Sequence, residues 1–274
     1  MQKTSPSNRL LRLQARMTSD HEHMNQNKFS DSAGTPWAGR AFDVNNFAQD
    51  DGSAPKALLD ALLAFREGRA NAEAVVDAIR ESRLLIPLLA ELTESAEGAH
   101  GQTIDKSADL SIVTVATPDE QNGLPVFSSV AAMQRWNPKA RPVPADARRV
   151  ALAAVVEDNT RIILDPESET EFAIRRPAIA AIAQDLTWVH PSRNKAVHQA
   201  ILNVTDKVEE FLSFDLIDGD EQSRLHSAEV QLELRLKPGL SEERLAELMQ
   251  KLAIGLGESA EIAEHVDSLR VKLA

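Results

Sequence analysis

The residue types that could perform chemistry in this chain are few and widely spaced. The 274 residues include seven His and no Cys, which excludes thiol nucleophiles, disulfides and cysteine-ligated zinc or iron–sulfur sites. There is no phosphate loop, dinucleotide glycine fingerprint or Gly-x-Ser-x-Gly elbow. His100 has no nucleophile at a telling spacing, so we interpret it as an ordinary loop histidine. The sequence therefore predicts no catalytic residue, no metal and no cofactor.

The strongest charge feature is a basic segment over residues 135–149. It contains one acid, one tryptophan and five basic residues, namely Asp146, Trp136, Arg135, Lys139, Arg141, Arg148 and Arg149. Arginine forms bidentate pairs with carboxylates and phosphates, so the segment could receive a small anion or an acidic partner surface. The alternative is that these charges neutralise nearby acids and keep two helix ends soluble, and the sequence favours that alternative.

A second polar region is the long stretch over residues 94–109. Long ordered loops often carry function, although a simple connector is the favoured interpretation. From both regions we name six candidate ligand-binding residues and assign a catalytic role to none of them: Arg141, Lys106, Asp105, Trp136, Arg148 and Arg149.

Apolar spacing predicts helices and short strands over the first two thirds of the chain. Leu58, Leu62 and Phe65 follow helical spacing, and Asn71 is suited to cap a second helix. The apolar run 84–89 predicts a strand, and Pro87 favours a position for it at a sheet edge. The pair Asn122-Gly123 predicts a hairpin turn.

The last third of the chain has a cleaner pattern. A short helix over 194–203 is followed by two alternating strands. Leu212, Phe214 and Leu216 are predicted to point inward in the first strand, and Val230, Leu232, Leu234 and Leu236 in the second. Ser241 is suited to cap a helix, and residues 269–273 alternate again. The order αββαβ predicts a ferredoxin-like sheet that lacks its first strand.

Composition predicts three segments. Residues 1–30 carry five basic and two acidic residues and predict a disordered N-terminal extension, and Met24 is the favoured true start. A composition break at 188–193 separates an N-terminal domain, residues 31–188, from a small C-terminal domain, residues 192–274. The fold class is therefore mixed α+β, with a sheet-and-helix domain followed by a ferredoxin-like domain.

Charge and hydropathy restrict the partners. The formal net charge of −12 argues against nucleic-acid binding, which needs a positive surface. No apolar run reaches the ~18–20 residues that would cross a bilayer, and no secretory signal is present. We therefore expect a cytoplasmic protein.

Several strings, taken in order, resemble the SseB family in its actinobacterial two-domain form. They include Pro36-Trp37-Ala38-Gly39-Arg40, Gly98-Ala99-His100-Gly101, Asp105-Lys106-Ser107-Ala108-Asp109, Leu124-Pro125-Val126-Phe127 and Arg175-Arg176-Pro177. The resemblance covers about residues 31–188, and residues 192–274 are similar to the family's C-terminal domain. It implies no catalytic residues.

These observations predict a non-catalytic binding or regulatory module that acts through protein interaction. The alternative is a sensor or enzyme for a small anionic metabolite such as an amino acid, with a site that joins Arg141 to Asp105 and Lys106. A third hypothesis is a homo-oligomer that pairs through an exposed edge strand at 228–237.

Overall fold

The computed structural model describes residue 47 and residues 49–91, 109–156 and 159–274. The predicted extension 1–30 lies outside the described residues. Within them, the helices are α1 (Lys56–Arg66), α2 (Ala72–Arg80), α3 (Val130–Trp136), α4 (Ala147–Val156), α5 (Arg176–Ala183), α6 (Lys195–Thr205), α7 (Glu242–Gly257) and α8 (Ala260–His265). The strands are β1 (Arg83–Glu91), β2 (Asp109–Ile112), β3 (Val115–Ala116), β4 (Asn122–Val126), β5 (Arg141–Asp146), β6 (Arg161–Leu164), β7 (Phe172–Arg175), β8 (Phe211–Asp218), β9 (Val230–Leu236) and β10 (Leu269–Leu273). The fold is mixed α+β, as predicted.

The first sheet has the order β2-β1-β5, with both pairs antiparallel. The prediction that Pro87 puts its strand at an edge is wrong, because β1 is central. Leu85 exchanges both backbone hydrogen bonds with Phe127, at 2.9 Å each, so Pro87 directs its nitrogen to that same side. The β2 ladder on that side begins beyond Pro87, at Leu88, so the missing donor costs no ladder bond.

Strand β5 forms an edge of this sheet and contains two prolines. Pro144 pairs with Leu85, and Pro142 pairs with Pro87. Leu85 points its N–H and C=O away from β5, so Pro144, which lies opposite it, makes no ladder hydrogen bonds with β1. The backbone groups of Pro144, and of Pro142 two residues before it, therefore point away from the sheet edge. Prolines at these outward positions give the edge no N–H donors there, which disfavours pairing with another strand.

The second sheet has the order β3-β4-β6-β7, in which β4 and β6 are parallel and the other pairs are antiparallel. The predicted hairpin turn at Asn122-Gly123 is wrong, because both residues lie inside β4 and pair with β3. The turn is formed instead by residues 117–121, where Thr117 and Gln121 close the backbone and Glu120 has a positive φ of 61°.

One hydrophobic core covers one side of these strands. Helices α1, α2, α4 and α5 contribute fully buried side chains such as Leu58, Val75, Val150 and Ile179. The predicted cap at Asn71 is confirmed, because its side chain accepts a hydrogen bond from the Ala74 N–H at the start of α2, at 3.0 Å. This core fixes which face of each helix points outward.

The third sheet has the order β10-β9-β8, and β10 is parallel to β9. Helices α6 and α7 pack on it, and the predicted order αββαβ is observed with the short α8 added before β10. The ferredoxin-like assignment itself stays a prediction.

Two expectations about this sheet are wrong. Leu212 is 56% exposed, because a register shift between Phe211 and Ser213 turns it away from the core. The strand at 228–237 is not an exposed edge, because β9 is the central strand and pairs on both sides.

The described residues from Asp50 to Ala274 form one compact unit. The connection between β8 and β9 lies on the second sheet, where Leu225 packs on Ile163 and Ala173. The expected boundary near residues 188–192 stays a prediction. No helix among the described residues is long and apolar enough to span a membrane.

Candidate functional site

Four of the six candidate residues that the sequence named lie among the described residues. Arg141 is exposed at the start of the edge strand β5, and Trp136 packs on Phe127 with ring centroids 5.3 Å apart. Arg148 and Arg149 both lie in the first turn of α4. Asp105 and Lys106 lie outside the described residues, so the proposed joining of Arg141 to them stays a prediction.

The outer surface of α4 brings two of these candidates next to exposed apolar side chains. Leu152, Val155 and Val156 are 49%, 62% and 80% exposed and share one side of the helix with Arg148 and Arg149. We call these five residues the α4 face. Three large aliphatic side chains in water on one helix are an unfavourable arrangement for stability alone.

The charges of the α4 face are also unfavourable for the helix itself. The first turn of α4 holds no acidic residue and two arginines, where the helix dipole favours negative charge. Asp146, which precedes the helix, accepts a hydrogen bond from the Arg149 N–H at 2.8 Å and offsets part of this cost. Arg148 donates from Nε to the carbonyl of Ala183 at 3.0 Å, which anchors its side chain on α5.

A buried ionic cluster joins the second sheet to the C-terminal third of the chain. Arg161 pairs with both carboxylate oxygens of Asp267, at 2.9 and 2.8 Å, and with Asp119 at 2.9 Å. Arg175 pairs with Asp220 at 2.7 Å and with Asp267 at 3.2 Å. We call these five residues the ionic cluster. Both arginine side chains are only 7% exposed.

The two arginine charges of the ionic cluster are neutralised by carboxylates of the same cluster. Burial lowers the pKa of Arg175, but the hydrogen bond and charge of Asp220 outweigh it and leave that pKa raised. Burial raises the pKa of Asp119, but hydrogen bonds from Thr117 and Arg161 leave it lowered overall. Since three carboxylates face two guanidinium groups, the cluster offers no excess positive charge to an anion.

An open cleft of about 600 Å³ borders the ionic cluster. Its lining includes Arg161, Arg175, Arg176, His226 and Ser268. Arg176 donates to the carbonyls of Ala263 and Val266, at 2.8 and 2.9 Å. The described cations of the cleft are thus engaged with protein oxygens. Among the described residues, no three His, Asp or Glu side chains are grouped as a metal site.

A much smaller cavity lies between Trp188 and Glu229, and Arg175, His190 and Asp218 also line it. Glu229 is 2% exposed, and burial raises its pKa to about 7. Burial lowers the pKa of His190, which favours a neutral imidazole ring. Its Nε2 lies 3.6 Å from Oδ2 of Asp218. The contact between His190 and Asp218 is therefore not a full ion pair at neutral pH.

The parallel strands β4 and β6 end at a buried carboxylate. Asp165 is 2% exposed and accepts hydrogen bonds from the N–H and hydroxyl of Ser128, at 2.8 and 2.7 Å. Burial raises the pKa of Asp165, although these bonds and one from Thr170 oppose the rise. Ser129 caps α3, and the preceding Ser128 holds Asp165.

Sequence reasoning missed the apolar half of the α4 face and the whole ionic cluster. A helical projection of residues 147–156 would have shown Leu152 opposite the buried Val150 and Ala154. Arg161 begins β6 and Arg175 ends β7, and both strands are otherwise apolar. A buried arginine at such a position needs an acidic partner. No signal in the sequence names Asp267 as that acid.

Comparisons with known proteins bear on the first two thirds of the chain. Residues 58–181 match the family model described as SseB protein N-terminal domain, from the first turn of α1 to near the end of α5. No curated protein and no solved structure matches the chain significantly. The expected resemblance of residues 192–274 to the family's C-terminal domain stays a prediction. This match over residues 58–181 is consistent with an SseB-family protein.

Proposed function

We propose that this chain is a non-catalytic binding or regulatory module that acts through protein interaction, with the α4 face as its docking surface. The observation that carries the proposal is the exposure of Leu152, Val155 and Val156 on one side of α4. Exposed aliphatic groups arranged contiguously mark interaction sites more often than scattered ones do. Burying these three side chains against a partner would remove an unfavourable contact with water.

The charges beside the apolar residues indicate the chemistry of the partner. Arg148 and Arg149 sit at one end of the α4 face, and their positive charge is disfavoured by the helix dipole. A partner that places carboxylates against this end and apolar side chains against Leu152 would compensate both costs. We therefore expect a protein segment with adjacent acidic and apolar residues.

Site-specific cross-linking in cells tests the proposal. A photoreactive phenylalanine derivative at position 152 or 155 should form an adduct with one partner. The same group at Leu212 or Ile254, which are 56% and 52% exposed, should not. Mass spectrometry of the adduct should place the cross-link beside acidic and apolar residues of the partner.

A charge reversal provides the second arm of this experiment. Arg148→Glu combined with Arg149→Glu should abolish the adduct at position 152 with little change in thermal stability. The double change removes the bond from Arg148 to Ala183 and the pair of Arg149 with Asp146, but it places acids in the first turn of α4, where the helix dipole favours them. An adduct that persists after the reversal, or that forms equally at position 254, would contradict the proposal. A covalent dimer of this chain would assign the α4 face to a second copy instead.

The second candidate function is a sensor or enzyme for a small anionic metabolite. The cleft of about 600 Å³ favours it, since ligand sites commonly occupy ~300–1,000 Å³. Its engaged arginines count against it. A panel of amino acids, nucleotides and phosphates tests it: a ligand at a hundred times its dissociation constant adds ~2.7 kcal/mol of stability. A shift that Arg141→Ala removes would locate the ligand at the site predicted from the sequence.

A further inference from the structure

The small cavity near residue 229 holds two buried polar atoms that have no protein partner among the described residues. They are the indole Nε1 of Trp188 and the Oε1 of Glu229. One is a hydrogen-bond donor only, and the other is an acceptor when the carboxylate is ionised. Buried polar groups in native proteins are nearly always hydrogen-bonded to protein or to ordered water.

We propose that this cavity is a hydration site in which water accepts a hydrogen bond from Trp188 and donates one to Glu229. The space open to the centres of water-sized molecules is ≈ 20 Å³. A single water needs ~10–15 Å³ on this measure, so the cavity holds one water or at most two.

The size and the surroundings of the cavity favour water. The space admits little more than one water molecule, Asp218 and Glu229 disfavour an anion, and Arg175 and Asp220 are paired with each other. A bound water needs about two to four polar partners, and the hydroxyl of Ser223 and the ring of His190 also line the space. Trp188 and His190 pack with their rings 5.6 Å apart, which fixes the indole against one wall.

The hydration site would connect the two parts of the fold. Trp188 packs into the core of the first two sheets, whereas Glu229 directly precedes β9 of the third sheet. The other carboxylate oxygen of Glu229 accepts a hydrogen bond from the Asp267 N–H at 2.7 Å, and Asp267 belongs to the ionic cluster. The water thus extends that cluster by hydrogen bonds to the indole of Trp188.

Nuclear magnetic resonance of the intact protein tests the proposal. The Trp188 indole proton, assigned by the signal that Trp188→Phe removes, should show cross-relaxation with a long-lived water. Trp136, which packs on Phe127 away from this cavity, is the internal control. A Trp188 indole that shows no such cross-peak in the wild-type protein would overturn the proposal.

A high-resolution crystal structure and a pair of variants give independent outcomes. Density for water within about 2.7–3.2 Å of both Nε1 and Oε1 is expected. A direct bond between the two side chains, or an empty cavity, would overturn the proposal. Trp188→Phe and Glu229→Met, which removes both carboxylate oxygens, should lower the unfolding midpoint by less together than the sum of their separate shifts. Strictly additive shifts would show that no water bridges the two residues.

Discussion

Glu229 is the residue whose protonation the fold changes most clearly. Burial raises the pKa of its carboxyl to about 7, and the neighbouring Asp267 carboxylate contributes in the same direction. The Asp267 N–H and the charges of Arg175 and Arg161 oppose the rise without cancelling it. Near neutral pH, this carboxyl is therefore partly protonated although it lies within a cluster of charges.

We predict that Glu229 makes the protein less stable as pH rises from about 4.5 to about 7. The folded pKa of about 7 exceeds the ordinary value of 4.5, so the folded state binds the proton more tightly. That stabilisation is complete below pH 4.5 and is lost as pH rises through 7. Glu229→Gln has no proton to lose, so the midpoint difference between wild type and variant should change across this range.

The difference between the two proteins is the quantity to measure, because other groups contribute slopes of their own. The lowered pKa of His190, for example, gives a slope of the opposite sign. Ile254→Gln, an exposed change on α7 that removes no titratable group, is the control and should leave the pH profile unchanged. Parallel profiles for wild type and Glu229→Gln would refute the prediction.

The helices and most strands could be predicted from sequence because their signals are local. Ser241 accepts a hydrogen bond from the Arg244 N–H at the start of α7, as its spacing before Glu242 and Glu243 indicates. The central position of β9 and the exposure of Leu212 could not be predicted, since both depend on which strand lies alongside.

The same distinction applies to the candidate site. Arg148 and Arg149 could be selected as a local excess of charge, and the structure keeps them side by side on α4. The partners of the ionic cluster could not be found this way, because Arg161 and Asp267 are 106 residues apart. Only the placement of β10 and the β8–β9 connection against the second sheet brings them together.

At the scale of elements, the prolines of β5 should keep copies of this protein apart. We predict that Pro142→Thr combined with Pro144→Thr causes self-association, because each change adds an outward N–H donor to an exposed edge. Sedimentation velocity at rising concentration measures it. Val143→Thr is the control, since that residue pairs with Ile86 and directs its backbone inward. A double variant that stays monomeric would show that β5 is protected by something else.

At the scale of the whole molecule, the ionic cluster should make the two hydrophobic cores unfold together. If the third sheet separated alone, Arg161 and Arg175 would lose their ion pairs and hydrogen bonds with Asp267 and Asp220. Charge-assisted hydrogen bonds of this kind are stronger than neutral ones, so partial unfolding is penalised. We predict one transition, in which hydrogen-exchange protection of β6 and of β9 is lost at the same denaturant concentration.

Asp267→Ala tests the cause of this cooperativity. It should destabilise the protein by about 1.5–3 kcal/mol, because it removes charge-assisted hydrogen bonds from two buried arginines, which keep Asp119 and Asp220 as partners. Asp215→Ala removes a pair with Arg235 whose side chains are 52% and 48% exposed, and should cost under ~1 kcal/mol. Separate transitions in the wild type, or equal effects of the two variants, would argue against the cluster as the link.

The central position of β1 in the first sheet has a consequence during synthesis on the ribosome. Its first half, including Leu84 and Ile86, is completed only by β5, which ends 55 residues after Glu91. At roughly 5–20 residues per second, that apolar segment waits several seconds for its partner strand. The nascent chain therefore exposes an aggregation-prone stretch in that interval, and a chaperone that binds extended apolar peptides would find its site there.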